Sequence, residues 1–154
     1  MENKGDLAKL ILPEPSHFGY VTLDMERSIE NFKKYFGIGS FDRMVPNYFN
    51  KRYHGRPEEF KIELAFGRVG KIVYELIHVL QGKTVHGDFL DRQGEGIHHL
   101  AYEISDLDKW TEAYKKVGIE VIMCGERTGL KWAYFNTQEI TVELFERTPE
   151  GKGV

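Results

Sequence analysis

The chain has 154 residues, a net charge of −3 and a single cysteine. One thiol excludes an internal disulfide scaffold and a cysteine-built zinc site, while the length suffices for one self-supporting core that buries roughly 70% of the unfolded surface. The mildly acidic balance offers no basic stripe for nucleic acid, no window approaches the ~18 apolar residues of a membrane span, and Glu2 and Asp6 interrupt any apolar leader, so the chain reads as a soluble, cytoplasmic domain.

Residues 1–15 read as an N-terminal extension. β-Branched and aromatic content predicts a first strand at His17–Leu23. Asp24 is the expected N-cap of a helix reaching about Phe36, with Ile29, Phe32 and Phe36 on one face and Gly37 as its stop. Strands are expected at Phe41–Val45, Phe60–Phe66 and Lys71–Leu80. Between the first two, the polar stretch Asn47–Glu59 carries Arg52, Gly55, Arg56 and Pro57 and reads as an inserted loop. Residues 81–96 read as a linker. The cycle then returns: a strand at Ile97–Ile104, a cap at Asp106, an apolar helix stripe of Trp110, Ala113, Tyr114 and Val117, and a stop at Gly118. Strands at Glu120–Cys124, Leu130–Asn136 and Ile140–Glu146 follow, and 148–154 reads as a flexible tail.

This cycle is an internal repeat. Segment 17–26 overlays 99–108 with His, Tyr and Asp matched outright, and the same offset of 82 pairs Glu30 with Glu112 and Lys33-Lys34 with Lys115-Lys116. Tyr74-Glu75-Leu76 matches Val142-Glu143-Leu144 at an offset of 68. The expected organisation is therefore one domain over 16–147, with module 1 at 16–80 and module 2 at 97–147, each reading β-α-β-β-β.

Each module opens its first strand with a histidine, His17 or His99, and places a glutamate, Glu75 or Glu143, between apolar residues in its last strand. An unpaired buried carboxylate is very costly. A pseudo-twofold axis between the modules would bring the two imidazoles and two carboxylates to one point, and such a set suits a divalent cation such as Co, Ni, Zn or Mn. His98 is an alternative to His99, although the repeat aligns His99 with His17. His54, His78 and His86 have no repeat partner and read as surface or packing residues, and Cys124 as a small apolar filler. Lys51, Arg52 and Arg56 read either as a solvated face or as contacts for an anionic substrate.

At these residues the chain resembles the vicinal oxygen chelate superfamily, the glyoxalase/bleomycin resistance/dioxygenase group. The run from Asp88-Phe89-Leu90 through Gly94-Glu95-Gly96 to His98-His99-Leu100-Ala101 is most similar to methylmalonyl-CoA epimerase-like members. The resemblance implies an α+β fold of two paired β-α-β-β-β modules forming a half-barrel cleft. It implies one divalent metal ion on His17, Glu75, His99 and Glu143, with Glu143 as proton-transfer base and Glu59 near the position of a second acid. It implies proton transfer next to a carbonyl of an acyl-CoA or other thioester, and a homodimer. The loop Asn47–Glu59, the polar strand with Lys61 and Glu63, and the segment Gly125–Lys131 depart from the epimerase pattern. Rival readings within the same resemblance are a glyoxalase I-type lyase, an Fe(II) extradiol dioxygenase using His17, His99 and Glu143, and a metal-free small-molecule binding protein.

Overall fold

The computed structural model describes residues 7–149. Among the described residues, three helices and ten strands follow a short 3₁₀ turn at Leu7–Lys9. In chain order they are β1 (His17–Val21), α1 (Met25–Phe36), β2 (Phe41–Met44), β3 (Phe49–Tyr53), β4 (Arg56–Pro57), β5 (Lys61–Val69) and β6 (Ile72–Gln81). There follow α2 (Val85–Gln93), β7 (Gly96–Glu103), α3 (Leu107–Lys116), β8 (Val121–Arg127), β9 (Leu130–Asn136) and β10 (Thr141–Arg147). No helix among the described residues is long and apolar enough to cross a membrane.

All ten strands form one sheet in the order β2-β5-β6-β1-β7-β10-β9-β8-β3-β4. β1 and β7 meet antiparallel at its centre; each is then flanked by the last strand of its own module, β6 or β10, running parallel to it. The sheet curls into a half-barrel. The expected β-α-β-β-β repeat is thus the architecture, and α1 and α3 each start where a capping aspartate accepts a backbone N–H: Arg27 onto Asp24 and Lys109 onto Asp106. Gly37 ends α1 in the left-handed conformation at φ 71°, which glycine adopts without steric cost.

α1 and α3 cover the outside of the sheet, whereas Val85 of α2 packs with Ala101, Tyr134 and Phe145 of the concave face. Met25, Phe32 and Ile38 pack on Ala65 and Leu76 in module 1, and Trp110 and Tyr114 on Phe135 and Leu144 in module 2. Phe36, expected on the buried face of α1, is 54% exposed; Ser28 takes the inward place and its hydroxyl meets that of Thr22 at 2.6 Å.

Two segments depart from the sequence reading. The polar stretch Asn47–Glu59 is a β-hairpin rather than a loop, and β3 pairs antiparallel with β8 of the other module. Its turn residues His54 and Gly55 both have positive φ, 51° and 76°, the two-residue geometry that matches strand twist. Polarity concealed the strand because it lies at the sheet margin, where both faces tolerate charge. The linker 81–96 contains α2, whose cap is Thr84 and whose buried residues are Val85, His86 and Phe89. Residues 1–6 and 150–154, parts of the expected N-terminal extension and flexible tail, lie outside the described residues.

Candidate metal centre

The central strands place four chelating side chains by register. Glu75 on β6 stands beside Gly19 on β1, which stands beside His99 on β7. His17 on β1 stands beside Ala101 on β7, which stands beside Glu143 on β10. Directly paired residues share a face of the sheet, so both rows point into the concave side. One row reads Glu-Gly-His and the other His-Ala-Glu, which is the pseudo-twofold the repeat predicts. The small middle residue lets the long outer ones lean together. At Gly19 this is obligatory, because a β-carbon there would lie 2.6 Å from both nitrogens of the His99 ring. Sequence reasoning matched Gly19 to Ala101 but missed this role; the available signal was a glycine inside a strand, which marks a bulge or a close approach.

The donor atoms converge. His17 Nε2 lies 2.8 Å from Glu75 Oε2 and 3.4 Å from Glu143 Oε2, and His99 Nε2 lies 3.4 and 3.2 Å from the same two oxygens. Ligands held about 2.0–2.2 Å from one cation stand roughly 3.0–3.5 Å apart. All four atoms are buried without a hydrogen-bond partner among the described residues. Two buried carboxylates facing two imidazoles would be strongly destabilising unless positive charge, from a cation or from protons on the rings, sits among them. The donor set therefore fits a divalent metal ion. The alternative ligand His98 does not join this group.

Protonation tells the same story. Burial opposes the charged form of His17, yet Glu75 and Glu143 push its pKa up to about 10. His99 is raised in the same way, against its own burial, by Glu143 and Glu75. Burial would raise both glutamates, but the facing imidazoles hold both below the usual carboxylate range. The facing carboxylates favour positive charge at the centre of the cluster, whether it comes from protons on the imidazoles or from a cation.

His17, Glu75 and Glu143 line a cavity of about 280 Å³, with the fully buried His99 behind them. Phe66, Phe145 and Trp132 form aromatic walls, Tyr48 enters from the inserted segment, and Arg68, Arg127 and Arg147 contribute guanidinium groups. Arg147 is paired with Glu103, whereas Arg68 and Arg127 have no ion-pair partner among the described residues. A larger depression of about 640 Å³ adjoins it and shares Arg127 and Arg147. These cations were missed, since nothing in periodicity tells a cavity-lining arginine from a solvated one.

The structure does not bring Glu59 to this site: its side chain is 86% exposed and paired with Lys51 at 3.2 Å, and it is absent from the cavity wall. Lys51, Arg52 and Arg56 are absent from that wall too, and Arg52 instead donates to the Gly55 carbonyl at 3.0 Å. His86 is a packing residue as expected, fully buried, with Nε2 3.1 Å from the Tyr134 hydroxyl. Burial pushes the Cys124 thiol up, consistent with a filler.

The family model of the Glyoxalase/Bleomycin resistance protein/Dioxygenase superfamily matches residues 16–135. An uncharacterized protein of Bacillus subtilis (strain 168) is 31% identical over 100 residues, covering 61% of this chain and 70% of that one. A Streptomyces coelicolor methylmalonyl-CoA epimerase variant in complex with 2-nitronate-propionyl-CoA superposes with a TM-score of 0.69 at 18% identity, over 91% of this chain and 98% of that one. The methylmalonyl-CoA epimerase from Mycobacterium tuberculosis gives 0.64 at 20% identity, over 98% and 99%. At such identities the superpositions establish the fold. Two copied modules, one concave face and the match over most of the chain give one conclusion: the protein belongs to the glyoxalase/bleomycin resistance/dioxygenase superfamily.

Proposed function

We propose that this chain is a metal-dependent enzyme that moves a proton at a carbon next to a carbonyl, of the methylmalonyl-CoA epimerase-like type. The observation that carries the reading is the convergence of four buried donor atoms on one point beneath a cavity that His17, Glu75 and Glu143 line. A divalent cation held by His17, Glu75, His99 and Glu143 would supply Lewis-acid stabilisation of negative charge on a substrate oxygen. The chain's own groups do the rest. Glu143 takes the proton from the α-carbon and later yields it to solvent, and Glu75, its counterpart across the pseudo-twofold, takes up a solvent proton and delivers it from the other side. Phe66, Phe145 and Trp132 exclude water, so the fixed charges act in a low dielectric. Arg68 and Arg127 suit an anionic substituent such as that of an acyl-CoA.

One observation favours a second reading. The cavity wall holds no carboxylate beyond Glu75 and Glu143. A reaction using a single base that removes and returns a proton on one face, as in a glyoxalase I-type lyase, needs no further acid. The three-ligand dioxygenase set is less well supported, since Glu75 approaches His17 more closely than Glu143 does. Incubating the metal-loaded protein with methylmalonyl-CoA in D₂O tests the proposal. α-Deuteration is the expected result. Silence there, and with other acyl thioesters, alongside turnover of a hemithioacetal would transfer the assignment to the lyase. Homodimerisation belongs to the same reading and is checked by light scattering.

A further inference from the structure

β7 contains a bulge at the site. Gly19 pairs with His99 and Tyr20 with Ile97, so His98 is the extra residue between them. Strict alternation would send His98 and His99 to opposite faces. The bulge breaks that alternation and turns both rings inward, one behind the other. His98 Nδ1 lies 3.0 Å from His99 Nδ1, and both rings are buried.

Two ring nitrogens at that distance require one to donate and the other to accept. His99 directs Nε2 at Glu75 and Glu143, the side on which a metal would sit. A neutral imidazole that ligates through Nε2 carries its proton on Nδ1. His99 Nδ1–H then donates to His98 Nδ1, and the His98 proton lies on Nε2. The His98 ring is fixed against His86 at 5.1 Å, Phe89 at 5.2 Å and Tyr134 at 6.0 Å between centroids. It also lines a further cavity, together with Asp88, Asp91 and Arg92.

We infer that His98 is a positioning residue for the metal centre: through its Nδ1 it sets the tautomer and orientation of His99. A ligating histidine usually finds a carboxylate, a carbonyl or water in this place, and losing such a partner typically costs 10–100-fold in metal affinity. A neutral imidazole acceptor leaves His99 a weaker donor than a carboxylate would. This inference rests on the metal reading above, and its test keeps the two apart.

The test is Co(II) titration of the chelator-stripped chain, read by visible absorption and by competition with a chromophoric chelator. The variants are His98→Asn, which keeps an acceptor near Nδ1, His98→Leu, which removes it, and His98→Asp, which strengthens it. Native protein should bind one equivalent. Leu should weaken binding about 10–100-fold and shift the absorption bands, Asn should stay within a few-fold of native, and Asp should bind at least as tightly with bands shifted the other way. Should Leu fail to fold, the Asn–Asp pair still decides the matter through the band shift. Native-like affinity and bands in a folded Leu variant, or identical bands in Asn and Asp, would overturn the role of His98 while leaving the metal centre in place. No binding by native protein would overturn both. Two equivalents in native protein would overturn it as well, placing an ion among His86, His98 and His99 where the hydrogen bond is assigned.

Discussion

The two modules are close copies at the sheet centre and diverge towards its margins. The inner rows Glu75-Gly19-His99 and His17-Ala101-Glu143 differ by one methyl group in their middle residue. Outside them, module 1 carries strands of nine and ten residues, β5 and β6, where module 2 has two of seven. Module 1 also sends its extra hairpin across to β8 of its sister. The lesson is a division of labour. On the proposed reading the symmetric centre supplies the cation-binding chemistry, and the asymmetric margin shapes what reaches it, since Tyr48 comes from the inserted segment and Arg68 and Arg127 from β5 and β8.

The largest effect is expected from breaking the centre chemically. Glu143→Gln keeps the shape but removes the base, and should lower turnover by about 10²–10⁴-fold in the deuterium-exchange assay. If Glu75→Gln lowers it far less, the two glutamates are equivalent in place and unequal in role. A steric break comes next. Gly19→Val drives a side chain into the His99 ring. It should destabilise the fold by about 1–3 kcal/mol in urea titrations and weaken metal binding sharply. The mirror change Ala101→Gly should cost only about 1–2 kcal/mol and leave binding intact, because it frees backbone and removes one buried methyl without crowding the site. At the margin, Arg127→Ala should raise KM for an anionic substrate about tenfold, with metal affinity unchanged.

The smallest effect is on pH dependence without metal. His17, raised from 6.5 to about 10, stabilises the metal-free fold fully below its unfolded value, and that contribution fades as pH rises through about 10. Glu75 and Glu143, both lowered, stabilise it above their unfolded value of 4.5 and cease to do so as pH falls through their folded values. Denaturant midpoints of the metal-free chain should therefore decline on both the alkaline and the acid side. Cation binding at neutral pH should release protons, which calorimetry in buffers of different ionisation enthalpy measures.

Much of this was legible in the sequence because it was written twice. The Asp24 and Asp106 caps, the glycine stop after α1 and the four donors recur at matched positions, and recurrence separates a ligand from an incidental histidine. What was not legible lacks a second copy. The hairpin at 49–57 looked like a loop because its strands are polar, and α2 was hidden in a short segment with only three buried residues. Glu59 was drawn in by resemblance alone, and the hairpin carries it outward to Lys51. The bulge at His98 depends on pairing with β1, which no local pattern in β7 reveals.

The central claim is that the two modules jointly hold one cation. Equilibrium dialysis of the metal-stripped chain against Zn(II), Co(II), Ni(II) and Mn(II) should give one tightly bound ion per chain for at least one of them. Binding should be lost equally in His17→Ala from module 1 and His99→Ala from module 2. Retention of the ion in the folded double variant, or no bound ion with any of the four, would contradict the account.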